Sequence, residues 1–211
     1  MEYKKDWEAT KQRFEDYWKG ENTGRPIMRV TGVKEGNYPF HLPADIKSKS
    51  LEEKYYDPDS IVRRYRYYCE THEFLGESFP NLNADFGPGS LAAYLGSEIE
   101  LRDNTVWFQD CVDDWSALPE LKFDPENKWF KKHISLFDQC KKLIKDDFPI
   151  AIPDLMENVD VLASLRGAMN LLYDMIEDED EIVKRVQEVT NCYQQYYDAF
   201  YQYAQYDEGS A

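Results

Sequence analysis

The stretch Asn83–Gly96, "NADFGPGSLAAYLG", decides how this chain is read. A polar cluster ending in an acid runs into Gly-Pro-Gly-Ser and then into small residues at helical spacing. Gly87, Gly89 and Ala92 satisfy the G-x-G-x-x-G/A pattern of a pyrophosphate-cradling turn. That use needs an apolar strand in front of the glycines. Here Asn81, Leu82, Asn83, Ala84 and Asp85 precede them, and Asp85 with Asp103 would add negative charge near the phosphates. A second reading puts Asp85 at the C-terminal end of a barrel strand, where such folds do chemistry and where an acid accepts N–H groups or moves protons. A plainer third reading has Asp85 capping the helix that opens at Gly87–Leu91.

The rest of the chain favours a packed protein. With 16 Tyr, 11 Phe and 5 Trp in 211 residues, it has the aromatic content that acidic disordered chains lack. The 41 acids against 25 Lys and Arg give a net charge of −16, which disfavours nucleic acid and anionic membranes as partners. No apolar run approaches membrane-spanning length, and "MEYKKDWEAT" lacks the apolar core of a signal peptide. Cys69, Cys111, Cys140 and Cys192 form no CxxC pair, so free or buried thiols in a reducing cytoplasm are expected.

Periodicity predicts helices over about 3–19, 58–76, 125–146, 158–177 and 179–206. Strands are expected at "RPIMRVTG" (25–32), "SFPNLNADF" (78–86) and "DFPIAIPDL" (147–155), with a hairpin around Asp103-Asn104 and a long loop over 33–56. Strands alternating with long helices predict an α/β fold with parallel pairing, in one domain covering 1–211. The end of the chain, "YDEGSA", falls where such a fold would place another strand.

Other candidates read more plainly. His41, His72 and His133 form no metal-ligand pair, and the last two are expected on helices as core or surface residues. Ser90 lacks a nucleophile-elbow frame. The acidic run Glu177–Glu181 suits a helix start, and Tyr193, Tyr196, Tyr197, Phe200 and Tyr201 suit a core or subunit interface. Asp154, Glu157 and Asp160 follow the third strand and, with Asp85, would gather acids at one barrel mouth. Arg166 is placed to pair with one of them or to hold a substrate carboxylate.

"RPIMRVTG", "NADFGPGSLAAYLGSEIE" and "DVLASLRGAMNLLYDMIEDEDEIVKRV" together resemble the uroporphyrinogen decarboxylase superfamily. That superfamily includes the decarboxylases of haem synthesis and methyltransferases that carry methyl groups from corrinoid proteins to thiols. The resemblance implies a (β/α)₈ TIM barrel, of which this chain is the N-terminal half with an extra N-terminal helix and a small β-hairpin. A half barrel is expected to self-associate, to work in the cytoplasm on a small molecule and, taken alone, to be inactive.

Residue by residue, the decarboxylases carry Met-Arg-Gln-Ala-Gly-Arg, whose arginines hold substrate carboxylates. Met28-Arg29-Val30-Thr31-Gly32-Val33 keeps the first arginine and loses the second. Their Phe-Ser-Asp-Ile acid, which binds pyrrole N–H groups, aligns with Asp85 in Asn83-Ala84-Asp85-Phe86. Ser164 stands where they have a tyrosine, before Leu165-Arg166-Gly167, and Asp160 where a threonine is usual. The resemblance therefore implies Asp85 as the catalytic residue, with Arg29, Asp160, Ser164 and Arg166 as substrate-binding residues. It favours a methyltransferase-type or uncharacterised paralogue, with a corrinoid protein as partner, over a haem-pathway decarboxylase. The family methyltransferases hold zinc by a His and two Cys of the second half. No cofactor ligand set is evident in this chain.

Overall fold

Residues 1–21, 24–36, 42–156 and 158–204 are described by a computed structural model. In order they form α1 (Trp7–Trp18), β1 (Arg29–Val33), α2 (Leu51–Tyr56), α3 (Pro58–Thr71), β2 (His72–Gly76), α4 (Ser90–Tyr94), β3 (Glu98–Leu101), β4 (Val106–Gln109), a short 3₁₀ turn at Trp115–Ala117, α5 (Lys128–Ile144), α6 (Asn158–Arg166), α7 (Ala168–Glu177) and α8 (Glu179–Ala204). The class is mixed α/β and largely helical, with two small antiparallel sheets. No helix among the described residues is long and apolar enough to cross a membrane. His41, Glu157 and the terminal "YDEGSA" lie outside the described residues.

The chain gathers into two compact units. The first holds Met1–Asn83 and Asp138–Ala151 with the C-terminal residues from Tyr203, and the second holds Ala84–Phe137 and Ile152–Gln202.

In the first unit, Asp57 starts α3 by accepting the N–H groups of Asp59 and Ser60, with Pro58 at the first helical position. The helix ends at Thr71, short of the predicted 76, because His72–Gly76 leaves it to pair with β1. The pairing is antiparallel, from Arg29 opposite Gly76 to Val33 opposite His72, which corrects the parallel expectation for the first strand. The predicted 33–56 loop contains α2, capped by Ser50. Parallel pairing occurs elsewhere, as an isolated bridge between Leu82 and Ile150, where two longer strands were expected.

Two buried charges lock this unit. Lys4 donates to the carbonyls of Phe74 (3.1 Å) and Gly76 (2.7 Å) and lies 3.1 Å from Asp6. The Glu77 side chain is fully buried and accepts from Arg13 (2.6 Å), from both terminal nitrogens of Arg25 (2.8 and 2.5 Å) and from the Met28 amide (2.8 Å). The Arg25 guanidinium, with the Met28 amide and Arg13, pulls the Glu77 carboxyl down to about 2. Gly76 sits beside this clamp at φ +59°, where a Cβ would lie 2.5 Å from the Met28 carbonyl oxygen. Gly76→Ala is therefore expected to cost about 1–3 kcal/mol, read as a lower urea midpoint.

In the second unit, the hairpin around Asp103-Asn104 forms as expected, with Glu98 opposite Gln109 and Leu101 opposite Val106. α5 starts at Lys128, where Asn127 accepts from the Trp129 and Phe130 amides, rather than at Pro125. One helix was expected over 158–177, but Gly167 at φ +83° separates α6 from α7. Asp178 accepts the Glu181 amide and opens α8, so the acidic run does begin a helix. Tyr196 and Phe200 of α8 pack against Tyr94 and Phe130 in the core, whereas Tyr193, Tyr197 and Tyr201 form a stack on the less buried side. Buried Arg185, held by Glu181 and Glu188 of its own helix, ties α8 to the 115–119 segment through the carbonyls of Trp115, Leu118 and Pro119.

Candidate functional site

The second unit begins with the Gly-Pro-Gly turn. Asp85 accepts the Gly87 amide at 3.0 Å, two residues on, which makes an Asx turn. Gly87 and Gly89 both stand at φ +93°. A Cβ at Gly87 would lie 2.6 Å from Val106, and one at Gly89 would lie 2.5 Å from the Met156 sulfur. The glycines thus serve the left-handed backbone and close packing under the hairpin. With the Gly87 amide given to Asp85 and both open faces filled, the turn leaves a phosphate no cradle. Gly89, not Asp85, occupies the N-cap position of α4, all five residues of which are buried.

A matching turn lies on a second segment. Asp154 accepts the Met156 amide at 2.9 Å, and Met156 itself stands at φ +61°, a strained conformation for a residue with a side chain. The Ser90 amide donates to the Asp154 carbonyl at 3.3 Å and joins the two segments. Asp154 also adds its charge near Tyr193, whose phenol is pushed up chiefly by burial, then by Tyr197 and last by that charge. Asp85 and Asp154 are therefore two backbone-oriented carboxylates on adjoining turns. Such an arrangement suits a ligand that presents N–H groups or positive charge.

Beneath the turn runs a buried relay that the sequence did not disclose. Tyr94 and His133 are 2.5 Å apart through the phenol oxygen and Nδ1, and His133 Nε2 is 2.7 Å from the Ala84 carbonyl. The carbonyl can only accept, so Nε2 carries the proton, Nδ1 accepts, and the Tyr94 hydroxyl donates. Phe86 stacks on the imidazole at 4.0 Å. Burial drives His133 down to about 3, opposed only by the Ala84 hydrogen bond, and pushes the Tyr94 phenol up. The ring is thus a neutral strut that fixes the backbone immediately before Asp85.

The remaining predicted residues lie on β1 and α6. Arg29 belongs to the first unit and is exposed on β1. Asp160 is exposed in the first turn of α6, and its carbonyl takes the Ser164 hydroxyl at 3.0 Å, so that hydroxyl bonds its own helix. Arg166 binds Asp174 through two nitrogens (2.7 and 3.2 Å) and donates to the carbonyls of Val112 (3.2 Å) and Asp113 (2.7 Å). Asp174 also accepts from the Trp115 indole at 2.8 Å. Arg166 thus clamps α6 to α7 and to the 112–113 segment. His133 keeps the expected core position, while His72 is corrected from helix to the first residue of β2, where it stacks on Tyr68 at 4.0 Å.

All four cysteines are free thiols, and Cys69, Cys140 and Cys192 are buried. Among the described residues no group of three or more His, Cys, Asp or Glu side chains could hold a metal ion. Comparison with protein-family models, curated proteins and solved structures finds no match for this chain.

Proposed function

We propose that this chain is part of a (β/α)₈ barrel enzyme of the uroporphyrinogen decarboxylase type, acting on a small molecule. The observation that carries the reading is the parallel bridge between Leu82 and Ile150. Parallel pairing across an intervening helix is the repeating unit of such a barrel. Each bridged segment is followed within a few residues by an oriented acid, Asp85 after one and Asp154 after the other. Both acids come at the C-terminal end of their segment, the end at which barrels do chemistry.

The reaction we favour is closer to corrinoid-dependent methyl transfer, or to an uncharacterised branch, than to haem-pathway decarboxylation. A substrate with many carboxylates needs cations held ready for it. Arg166 gives its donors to Asp174 and to backbone carbonyls, and the mouth instead carries acids. Asp85 orients the substrate or exchanges a proton with it. No step is routed through zinc.

The test is turnover by the longest natural form of the protein. Thiol-dependent loss of the methyl group of methylcobalamin is followed by its visible spectrum, and carbon dioxide release from uroporphyrinogen is measured in parallel. Asp85→Asn is expected to lower turnover about 100-fold or more with unchanged circular dichroism. Unchanged turnover overturns the role of Asp85, and carbon dioxide release moves the protein to the decarboxylases.

A second reading, a non-catalytic module that self-associates, is favoured by one surface. Met169, Leu172, Tyr173 and Ile176 of α7 are 55–83% exposed, and Val183 of α8 is 61% exposed. A stripe of this kind marks an interaction face. Because each copy carries −16, association through the stripe is expected to strengthen with salt. Mass in solution, measured at low and high ionic strength, checks this: a monomer at both counts against the module, and Ile176→Glu is expected to abolish any dimer.

A further inference from the structure

We propose that the outward face of α7 docks a helix of another protein, one with an apolar stripe and a cluster of Lys or Arg at one end. The surface is that of the second reading above, with a different occupant. It lies wholly within the second unit and does not depend on the role of Asp85.

α7 is turned the wrong way for a helix that only supports a core. Met169, Leu172, Tyr173 and Ile176 recur at i, i+3, i+4 and i+7, the spacing with which a surface helix normally meets its own core. Here those four side chains stand in solvent, and Leu171 is the buried residue of the helix. Met175, one turn on from Leu172, borders the stripe. With Ile182, Val183 and Val186 of α8 it lines a pocket of about 270 Å³. A ridge of large side chains beside such a hollow is the relief that a second helix packs into, with its own apolar residues at the same spacing.

The charge around the face names the occupant. Residues 167–183 hold six acids and no Lys or Arg. Asp174 is taken by Arg166, and Glu181 by Lys184 and Arg185. Glu177, Glu179 and Asp180 are exposed. Glu177 stands one turn beyond Tyr173, at the border of the stripe, and Glu179 lines the pocket. Cations at one end of the incoming helix meet these acids, which sets its register and speeds its approach. A second copy of this chain would bring the same acids to the same place, against its own charge of −16.

The experiment titrates the whole chain into a fluorescently labelled synthetic helix, followed by anisotropy, at about 20 and about 150 mM salt. The probe carries leucines at i, i+3, i+4 and i+7, glutamines elsewhere and a run of lysines at one end. In the control peptide glutamates replace the lysines. The lysine probe is expected to saturate with a Kd of about 1–50 µM at the higher salt and to bind several-fold tighter at the lower, with the control at least about tenfold weaker. Ile176→Ser, at a side chain 83% exposed, should weaken the probe about tenfold with unchanged circular dichroism. Glu177→Gln combined with Asp180→Asn should weaken it too and flatten its salt dependence. The proposal is overturned by no saturation up to about 500 µM, by a control that binds as tightly, or by Ile176→Ser binding like the wild type, which would leave only net charge at work. A dimer at the higher salt that Ile176→Ser dissociates would also overturn it and would uphold self-association instead, whereas failure of the probe alone leaves a salt-driven dimer standing.

Discussion

The melting temperature of this protein is expected to fall steadily as the pH is lowered from about 6.5 toward 3, and His133 is expected to cause much of the fall. In the unfolded chain its imidazole takes a proton near 6.5, whereas in the folded chain burial holds it down to about 3. Between those values the unfolded state binds the extra proton. Stability is then complete above 6.5 and is lost as the pH falls through the window, by up to about 1.4 kcal/mol per pH unit. The relay geometry explains why the folded state refuses the proton. Nε2–H already donates to the Ala84 carbonyl, and a second proton on Nδ1 would face the Tyr94 oxygen in a site walled by Phe86 and Phe137. His133→Gln, which keeps one donor and one acceptor, should lower stability at pH 7 and flatten the dependence between about 6.5 and 4.5. Thermal unfolding followed by circular dichroism at several pH values checks this, and equal slopes for the two proteins would remove His133 as the cause.

The second large effect is expected from Glu77. Glu77→Ala removes the carboxylate on which Arg13, Arg25 and the Met28 amide converge. Breaking a buried ion pair from one side typically costs about 3–5 kcal/mol. Here about 3 kcal/mol is expected, toward the lower end, because the Arg13 and Arg25 side chains are 32% and 46% exposed and can be rehydrated. A lower urea midpoint at unchanged slope is the readout. The same carboxylate adds its own acid limb. Its folded value of about 2 lies below the ordinary 4.5, so its contribution is complete above 4.5 and disappears as the pH falls toward 2. Histidine and carboxylate therefore act in overlapping windows, the carboxylate's lying lower, and the Glu77 variant should lose the lower limb.

What was legible in the sequence follows from the range of the forces involved. α1, α3, α5 and α8 show a local apolar period of 3.6, and Asp103-Asn104 is a local turn signal, so these elements could be read. β2 could not. "HEFLG" continues the helical pattern of α3 in sequence, and only pairing with β1, about forty residues earlier, extends it. The break between α6 and α7 rests on one glycine that a helix could have tolerated, and its positive φ is visible only in the fold.

The site divides in the same way. The glycine turn and the oriented acid at Asp85 were legible because an Asx turn is local. That Arg166 pairs with Asp174 was not legible, because Asp174 lies on the next helix, across the Gly167 break, with further acceptors on the 112–113 segment. The Tyr94–His133 relay joins residues 39 positions apart and left no spacing to find.

The filled faces of Gly87 and Gly89 have a consequence for tracing the ancestry of this chain. Both positions stand at φ +93° and pack against Val106 or Met156, so a larger residue is strained at either, whatever reaction the neighbouring acid serves. In diverging descendants these glycines should therefore persist with the backbone, while Asp85 is at liberty to drift once its chemistry is abandoned. A distant cousin that keeps both glycines and has lost the acid would mark a lineage that kept the scaffold and changed its trade.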